Sequence, residues 1–268
     1  RPLLNVSRED LRTVCRDNNI EWIEDPSNAN EKFLRVKLRQ FEDLLAGEGL
    51  TPRRLSQVLQ KLGDARDALQ FVAATYFQSL ATLHPEGFVS LKAEGWKNLP
   101  ADLQRRLLSL CLAPFEQGHY ATGFEAVEAL RLAMLEMEFS GRTLAGCEIF
   151  YQSEDILFCR EYAAVAPAAA VTEGMVWDGR FRLTGFPPDS GAISALGEQG
   201  LAAIRTASPP HEDALKRLES LPFKVKKTLP AIIKGDIILA LPSLSWVSPA
   251  AKGLEKGQAI FPPPVNIV

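Results

Sequence analysis

Two arginines, Arg35 and Arg39, stand four residues apart in "EKFLRVKLRQFEDLL", where Phe33, Leu34, Leu38, Phe41, Leu44 and Leu45 recur at helical spacing. On a helix that interval puts both guanidinium groups on one face, each offering planar donors that match phosphate or carboxylate. Just upstream, Asp25-Pro26-Ser27-Asn28 has turn chemistry. Pro26 fixes φ, Asp25 or Ser27 can accept a backbone N–H at a helix start, and Asn28 can close an Asx turn. One reading is an ordinary cap followed by a solvated face, with Glu31, Glu42 or Asp43 pairing the arginines. The other is one edge of a pocket in which a carboxylate, an amide and two arginines meet a polar ligand. Residue types alone favour the cap and leave the pocket open.

Other chemistry is sparse. Gly197 and Gly200 in "LGEQG" lack the Lys and Ser or Thr with which a phosphate loop grips its ligand, and no nucleophile elbow is present. His84, His119 and His211 are too dispersed for a metal motif. Cys15, Cys111, Cys147 and Cys159 form no CxxC pair and sit among apolar neighbours, which fits buried thiols of a reducing compartment. With 30 basic against 33 acidic residues the net charge is -3, so only a local basic face could meet nucleic acid. Candidates for phosphate contact are Arg105 and Arg106 on one predicted helix and Lys224, Lys226 and Lys227 in "PFKVKKTLP"; solvated faces balanced by Glu and Asp are the alternative. No apolar run has the length of a membrane span. A cytoplasmic protein is expected.

Those residues need elements to hold them. Ser7 caps a helix over "SREDLRTVCRDNN", with Leu11, Val14 and Cys15 as its apolar stripe and Asn18-Asn19 as its stop. "IEWIED" alternates like a short strand or extended segment, and a second helix spans about Asn30 to Leu45. Thr51 caps and Pro52 opens a long helix that Gly63 either splits or weakens. After "GFVSLKAEGWKNLP", an extended excursion with Trp96 as anchor, two more helices complete a bundle. Beyond Gly141 the period moves from 3.6 toward 2: "TLAGCEIFYQSEDILFCREY" reads as two antiparallel strands, and "GMVWDGRFRLTG" as strand around Asp178-Gly179. "AAVAPAAAV" reads as a linker, "ISALGEQGLAAI" and "PHEDALKRLESLP" as helices, and "DIILALPSL" as strand.

In sequence order, "RPLLNVSREDLRTVCRDNNIEWIEDPSNANEKFLRVKLRQFEDLL" resembles the last part of the catalytic domain of the bacterial tRNA(Ile)-lysidine synthase family. "MVWDGRFRLTG" and "TLPAIIKGDIILALPSLSW" resemble that family's closing segments, while the helical middle matches it in little beyond composition. The resemblance implies a mixed fold: the helical end of an α/β PP-loop domain at 1–49, an all-α helical domain at 50–145 and a small α/β (α+β) C-terminal domain at 146–268. It implies an ATP-dependent ligase that adenylates C2 of the wobble cytidine in the CAU anticodon of tRNA(Ile) and lets free L-lysine displace AMP. ATP and Mg2+ are the implied cofactors, and a homodimer is compatible. Asp25, Ser27, Asn28, Arg35 and Arg39 occupy the matching motif positions and would line the catalytic edge; Val36 stands where many members have Asn. The family's Ser-Gly-Gly-x-Asp-Ser pyrophosphate loop is not found between Arg1 and Val268, so the chain is expected to be a C-terminal portion without the ATP-binding loop and inactive alone. A non-catalytic tRNA-binding or scaffold protein made of the same domains is the alternative. A PP-loop enzyme acting on another tRNA base is disfavoured by the lack of cysteine pairs.

Overall fold

A computed structural model describes residues 6, 8–23, 47–116, 121–136, 138–206, 212–249, 251 and 253–261. The chain divides into two compact units, Arg1–Leu69 and Gln70–Val268. In the first, α1 (Arg8–Asp17) carries Glu9 and Asp10 in its opening turn and Arg16 in its last, complementing the helix dipole. Arg16 reaches back to Glu9, and Asn19 at φ 54° ends the helix as the sequence indicates. Residues 20–23 are exposed and form no strand, so strand is corrected in that part of "IEWIED": among the described residues none pairs with them. α2 (Pro52–Leu80) begins where predicted, with the Arg54 amide donating to Thr51 Oγ1 at 3.3 Å, and it runs through Gly63 unbroken. The division between units falls within this helix.

The second unit is where the sequence reading changes most. Residues 50–145, expected to be all-α, contain the hairpin β1 (Ala81–His84) and β2 (Phe88–Lys92). These strands join β3 (Arg142–Leu144), β4 (Cys147–Gln152) and β5 (Asp155–Arg160) in one antiparallel sheet of order β1-β2-β5-β4-β3. The sheet therefore crosses the expected border at 145/146. Pairing of β2 with β5 spans some 70 positions of sequence, a non-local contact that periodicity cannot show. Packed with the sheet are α3 (Ala93–Lys97), α4 (Ala101–Leu112) and α5 (Phe124–Leu135). Trp96 is the anchor expected: its ring is fully buried and its Nε1 donates to the Gln104 carbonyl at 3.1 Å.

Two further sheets complete the unit. β6 (Ala169–Ala170), β9 (Ala192–Ala195), β10 (Pro230–Lys234), β11 (Ile237–Leu241) and β12 (Trp246–Val247) form the order β12-β11-β10-β9-β6. β7 (Val176–Trp177), β8 (Phe181–Thr184) and β13 (Gln258–Ile260) form the order β13-β8-β7. Helices α6 (Gly197–Thr206), α7 (Glu212–Ser220) and α8 (Phe223–Lys227) lie between β9 and β10 in sequence. The architecture is mixed α/β with three sheets among the described residues. "ISA" is strand rather than helix, because its residues pair with β10 and β6. "AAVAPAAAV" likewise contributes strand β6 instead of a loose linker.

One ionic cluster ties the three-stranded sheet to the first. Asp178 and Gly179, both at positive φ, make the tight turn between β7 and β8, and this turn aims the Asp178 carboxylate inward. Asp178 Oδ1 accepts from Arg160 Nη2 at 3.1 Å and from the Ala166 amide at 2.8 Å; Oδ2 accepts from Arg180 Nε at 2.7 Å. Arg160 also donates to the carbonyls of Phe115, Gly146 and Ala164, and Arg180 to that of Gly87 at 3.0 Å. No side chain of the trio is more than 2% exposed. Burial draws the Arg180 guanidinium down to about 10 against the pull of Asp178, so it is still a cation at neutral pH. Asp178→Ala is expected to lower stability by about 3–5 kcal/mol, since two buried guanidinium groups would lose their counter-charge. Urea unfolding measures it, and an unchanged midpoint would show that the cluster holds nothing together.

Candidate functional site

Asp25, Ser27, Asn28, Arg35 and Arg39 lie outside the described residues. The basic candidates are described, and their charge is largely engaged. On α4, Arg106 donates to Asp102 at 2.7 Å and to Gln70 at 3.1 Å, while Arg105 meets Glu128 at 3.1 Å and Asp102 at 3.3 Å. Arg131 adds its own bonds to Glu128, whose carboxyl these guanidinium groups hold down at about 2. With Arg105 and Arg106 less than a quarter exposed, this group reads first as the joint between α4 and α5. It borders a cavity of about 390 Å³ that includes Thr122 and Phe124.

Of the lysines of α8, Lys224 is the more open, while Lys227 is as covered as Arg105 and Arg106. Lys224 pairs with Glu148 at 2.6 Å and lies over the Phe150 ring, and half of its side chain is exposed. Lys227 stacks over Tyr162 and Phe223, with Glu198 at 3.5 Å. Lys226 donates to the Glu219 carbonyl. Of the neighbours within "PFKVKKTLP", Phe223 lies under the Lys227 ammonium and Val225 is buried, while the other rings, Phe150 and Tyr162, come from outside the segment.

A second concavity was not foreseen. His84 and Glu86 from the β1–β2 hairpin, Ser90 from β2, Asp155 from the start of β5, and Arg217 and Ser220 from α7 line a cleft of about 380 Å³. The His84 ring stacks on Phe88, centroids 3.9 Å apart and planes 2° from parallel, and its Nε2 is 2.9 Å from Ser90 Oγ. Glu86 is buried, and its carboxylate accepts from Arg217 Nε, a partner 131 residues away. Lys92 meets Asp155 at 3.1 Å. Burial holds the His84 imidazole below its ordinary 6.5; Glu86 and Asp155 oppose that and Arg217 adds to it. Nothing in the sequence joins these residues: the spacing carries "ATL" of β1 on as the end of the long helix, which the structure corrects to strand, and shows "PHEDALKRLESLP" only as a helix. Among the described residues no group of His, Cys, Asp and Glu is arranged for a metal, and no helix is long and apolar enough to cross a membrane.

Comparison with known proteins supplies what this geometry does not. A family model described as a PP-loop domain matches residues 1–42. That match overturns the expectation of a chain from which the family's N-terminal ATP-binding part is absent: PP-loop domain sequence stands at the N-terminus. The chain is 33% identical over 261 residues to a tRNA(Ile)-lysidine synthase of Ruegeria pomeroyi, covering 97% of this chain and 59% of that protein. Proteins of the same name from Wolbachia pipientis and Bartonella tribocorum are 26% and 27% identical, over 92% and 89% of this chain and 56% and 49% of their own lengths. The chain thus spans about half the length of the curated relatives it matches.

The cysteines and His84 give two measurable consequences. Burial pushes the Cys159 thiol up to about 12 and the Cys111 and Cys147 thiols well above their ordinary range. A thiol reagent is therefore expected to modify half-buried Cys15 in the native protein and the other three only after unfolding; fast native modification of Cys159 would contradict the packing. For His84 the folded pKa is the lower one, so the unfolded chain binds the extra proton. Stability then falls as pH drops below 6.5, and His84→Gln should flatten that part of the profile. An identical slope in the variant would assign the effect elsewhere.

Proposed function

We propose that this chain is part of a tRNA(Ile)-lysidine synthase, an ATP-dependent ligase that joins free L-lysine to C2 of the wobble cytidine in the CAU anticodon. The observation that carries the reading is likeness to proteins of that name along nearly the whole chain, in company with a PP-loop domain match over its first 42 residues. In the reaction, the C2 oxygen of the cytidine attacks the α-phosphorus of ATP and pyrophosphate leaves, turning a poor leaving group into a phosphoester. The amine of lysine, having given up its proton, then attacks C2 and AMP departs. Arg35 and Arg39 are assigned to the anionic phosphate, and Asp25, Ser27 and Asn28 to the polar wall beside it. The described residues bring together no donor set fit for magnesium, and no step is assigned to a metal.

Residues of α8 are proposed to meet the RNA outside the anticodon. Lys224 and Lys227 hold their ammonium groups over aromatic rings, an arrangement suited to sequence-blind phosphate contact. Arg105 and Arg106 are better placed to hold α4 against α5 than to leave their carboxylates for phosphate.

The protein bearing this sequence, given ATP, magnesium, labelled lysine and a CAU-anticodon tRNA(Ile) transcript, is expected to transfer label to the RNA. Arg35→Ala or Arg39→Ala should cut the rate on the order of 10²-fold, the usual effect of losing a donor to transition-state charge. Lys224→Ala with Lys227→Ala should instead weaken RNA binding and lower its salt dependence by about two phosphate contacts. Full activity in both arginine variants would remove this edge from catalysis, and label on a tRNA lacking the CAU anticodon would reject the substrate assignment.

A further inference from the structure

The cleft between the β1–β2 hairpin and α7 has no part in the ligase reading and stands on different observations. Arg217 is half-exposed, yet its Nε is fixed by a carboxylate that is 2% exposed. Burying Glu86 in the hairpin costs solvation that only its pairing with Arg217 offsets. A solvated arginine has no need of such a partner. The bond holds the guanidinium group by its Nε in the wall of the cleft, and leaves Nη1 and Nη2 with no hydrogen bond among the described residues. A planar fork held in this way matches a phosphate group.

Beside it stands an aromatic surface. The His84 ring is pinned by Phe88 behind it and by Ser90 at its edge, so its plane is set before any ligand arrives. His84 and Arg217 also line a second cavity of about 420 Å³, formed with Pro242, Ser243, Gln258 and Ile260. The pair therefore forms a partition with space on both sides. Of the two carboxylates in the lining, Glu86 is paired with Arg217, and Asp155 is met from outside the cleft by Lys92. Gln152, Ser153 and Ser220 supply amide and hydroxyl groups around the rim.

We propose that this cleft binds a nucleoside monophosphate unit, with phosphate on the outward edge of Arg217 and the base stacked on the free face of His84. A planar ring and an anion linked by a sugar suit a fork and an aromatic ring that line the same two hollows. Concavity argues for one nucleotide, free or at the end of a single strand, rather than for the backbone of a duplex. Glu86 is a positioning residue here: it touches Arg217 and not the ligand.

The test is titration of the chain with adenosine monophosphate, adenosine and inorganic phosphate separately, following the His84 imidazole resonances by NMR and assigning them by their loss in His84→Gln. Adenosine monophosphate should shift them saturably at a dissociation constant on the order of 1 mM or tighter. Adenosine and phosphate alone should each bind at least about 10-fold more weakly, since each makes half of the contacts. Arg217→Ala should weaken the nucleotide about 10-fold or more, and Arg217→Lys should not restore it, because a point charge lacks the fork. Glu86→Gln should lie between; if it does not fold, Arg217→Lys carries the same question. A 5′-phosphorylated single-stranded oligonucleotide separates the sources: tighter binding than the mononucleotide means a strand end, equal binding a free nucleotide. No saturable shift with adenosine monophosphate, or an affinity unaltered in Arg217→Ala, overturns the proposal. Neither result depends on lysine transfer, so failure of the ligase reading is seen separately.

Discussion

A single buried carboxylate, Asp178, holds the second unit in register. It sits at a turn between two short strands, too few residues to fix a sheet on their own, and it receives two guanidinium groups from opposite directions. Arg160 brings the end of β5, the Phe115 turn and the Ala164 turn to it, and Arg180 brings Gly87 of the β1–β2 hairpin. Hydrophobic burial is non-directional and would tolerate these sheets sliding past one another. Charge-assisted bonds with fixed geometry do not, and that is what an ionic cluster in an otherwise apolar core adds.

The same constraint bears on the cleft. Gly87 stands at φ 85° against the Phe181 ring, where an added Cβ would come within 2.3 Å, and its carbonyl is the acceptor for Arg180. One residue before it, Glu86 turns to meet Arg217 of α7. The hairpin is thus fixed from below by Arg180 and engaged from above by Arg217. The shape of the cleft follows from a core interaction that none of its lining residues makes.

Charge in this chain is arranged in closed local groups. Asp102, Glu128, Arg105, Arg106 and Arg131 satisfy one another between α4 and α5, with Gln104 accepting from Arg131 at 3.0 Å. α8 has three lysines in five residues and no acid of its own; Lys224 and Lys227 take Glu148 and Glu198 from elsewhere, with their ammonium groups over Phe150, Tyr162 and Phe223.

The sequence by itself determined what is local. Thr51 and Pro52 open α2, Asn19 closes α1, the period-2 runs at 147–160 become β4 and β5, Asp178-Gly179 makes its turn, and Trp96 is buried. Each of these rests on residues within a few positions of one another. "ISA" looked helical beside "LGEQGLAAI" because the next turn is helical, and only pairing with β10 made it strand. The pairing of β2 with β5, the bond from Arg160 to Asp178 and the bond from Arg217 to Glu86 needed the tertiary structure, because these partners lie from 18 to 131 residues apart and no periodicity spans a chain closure of that size.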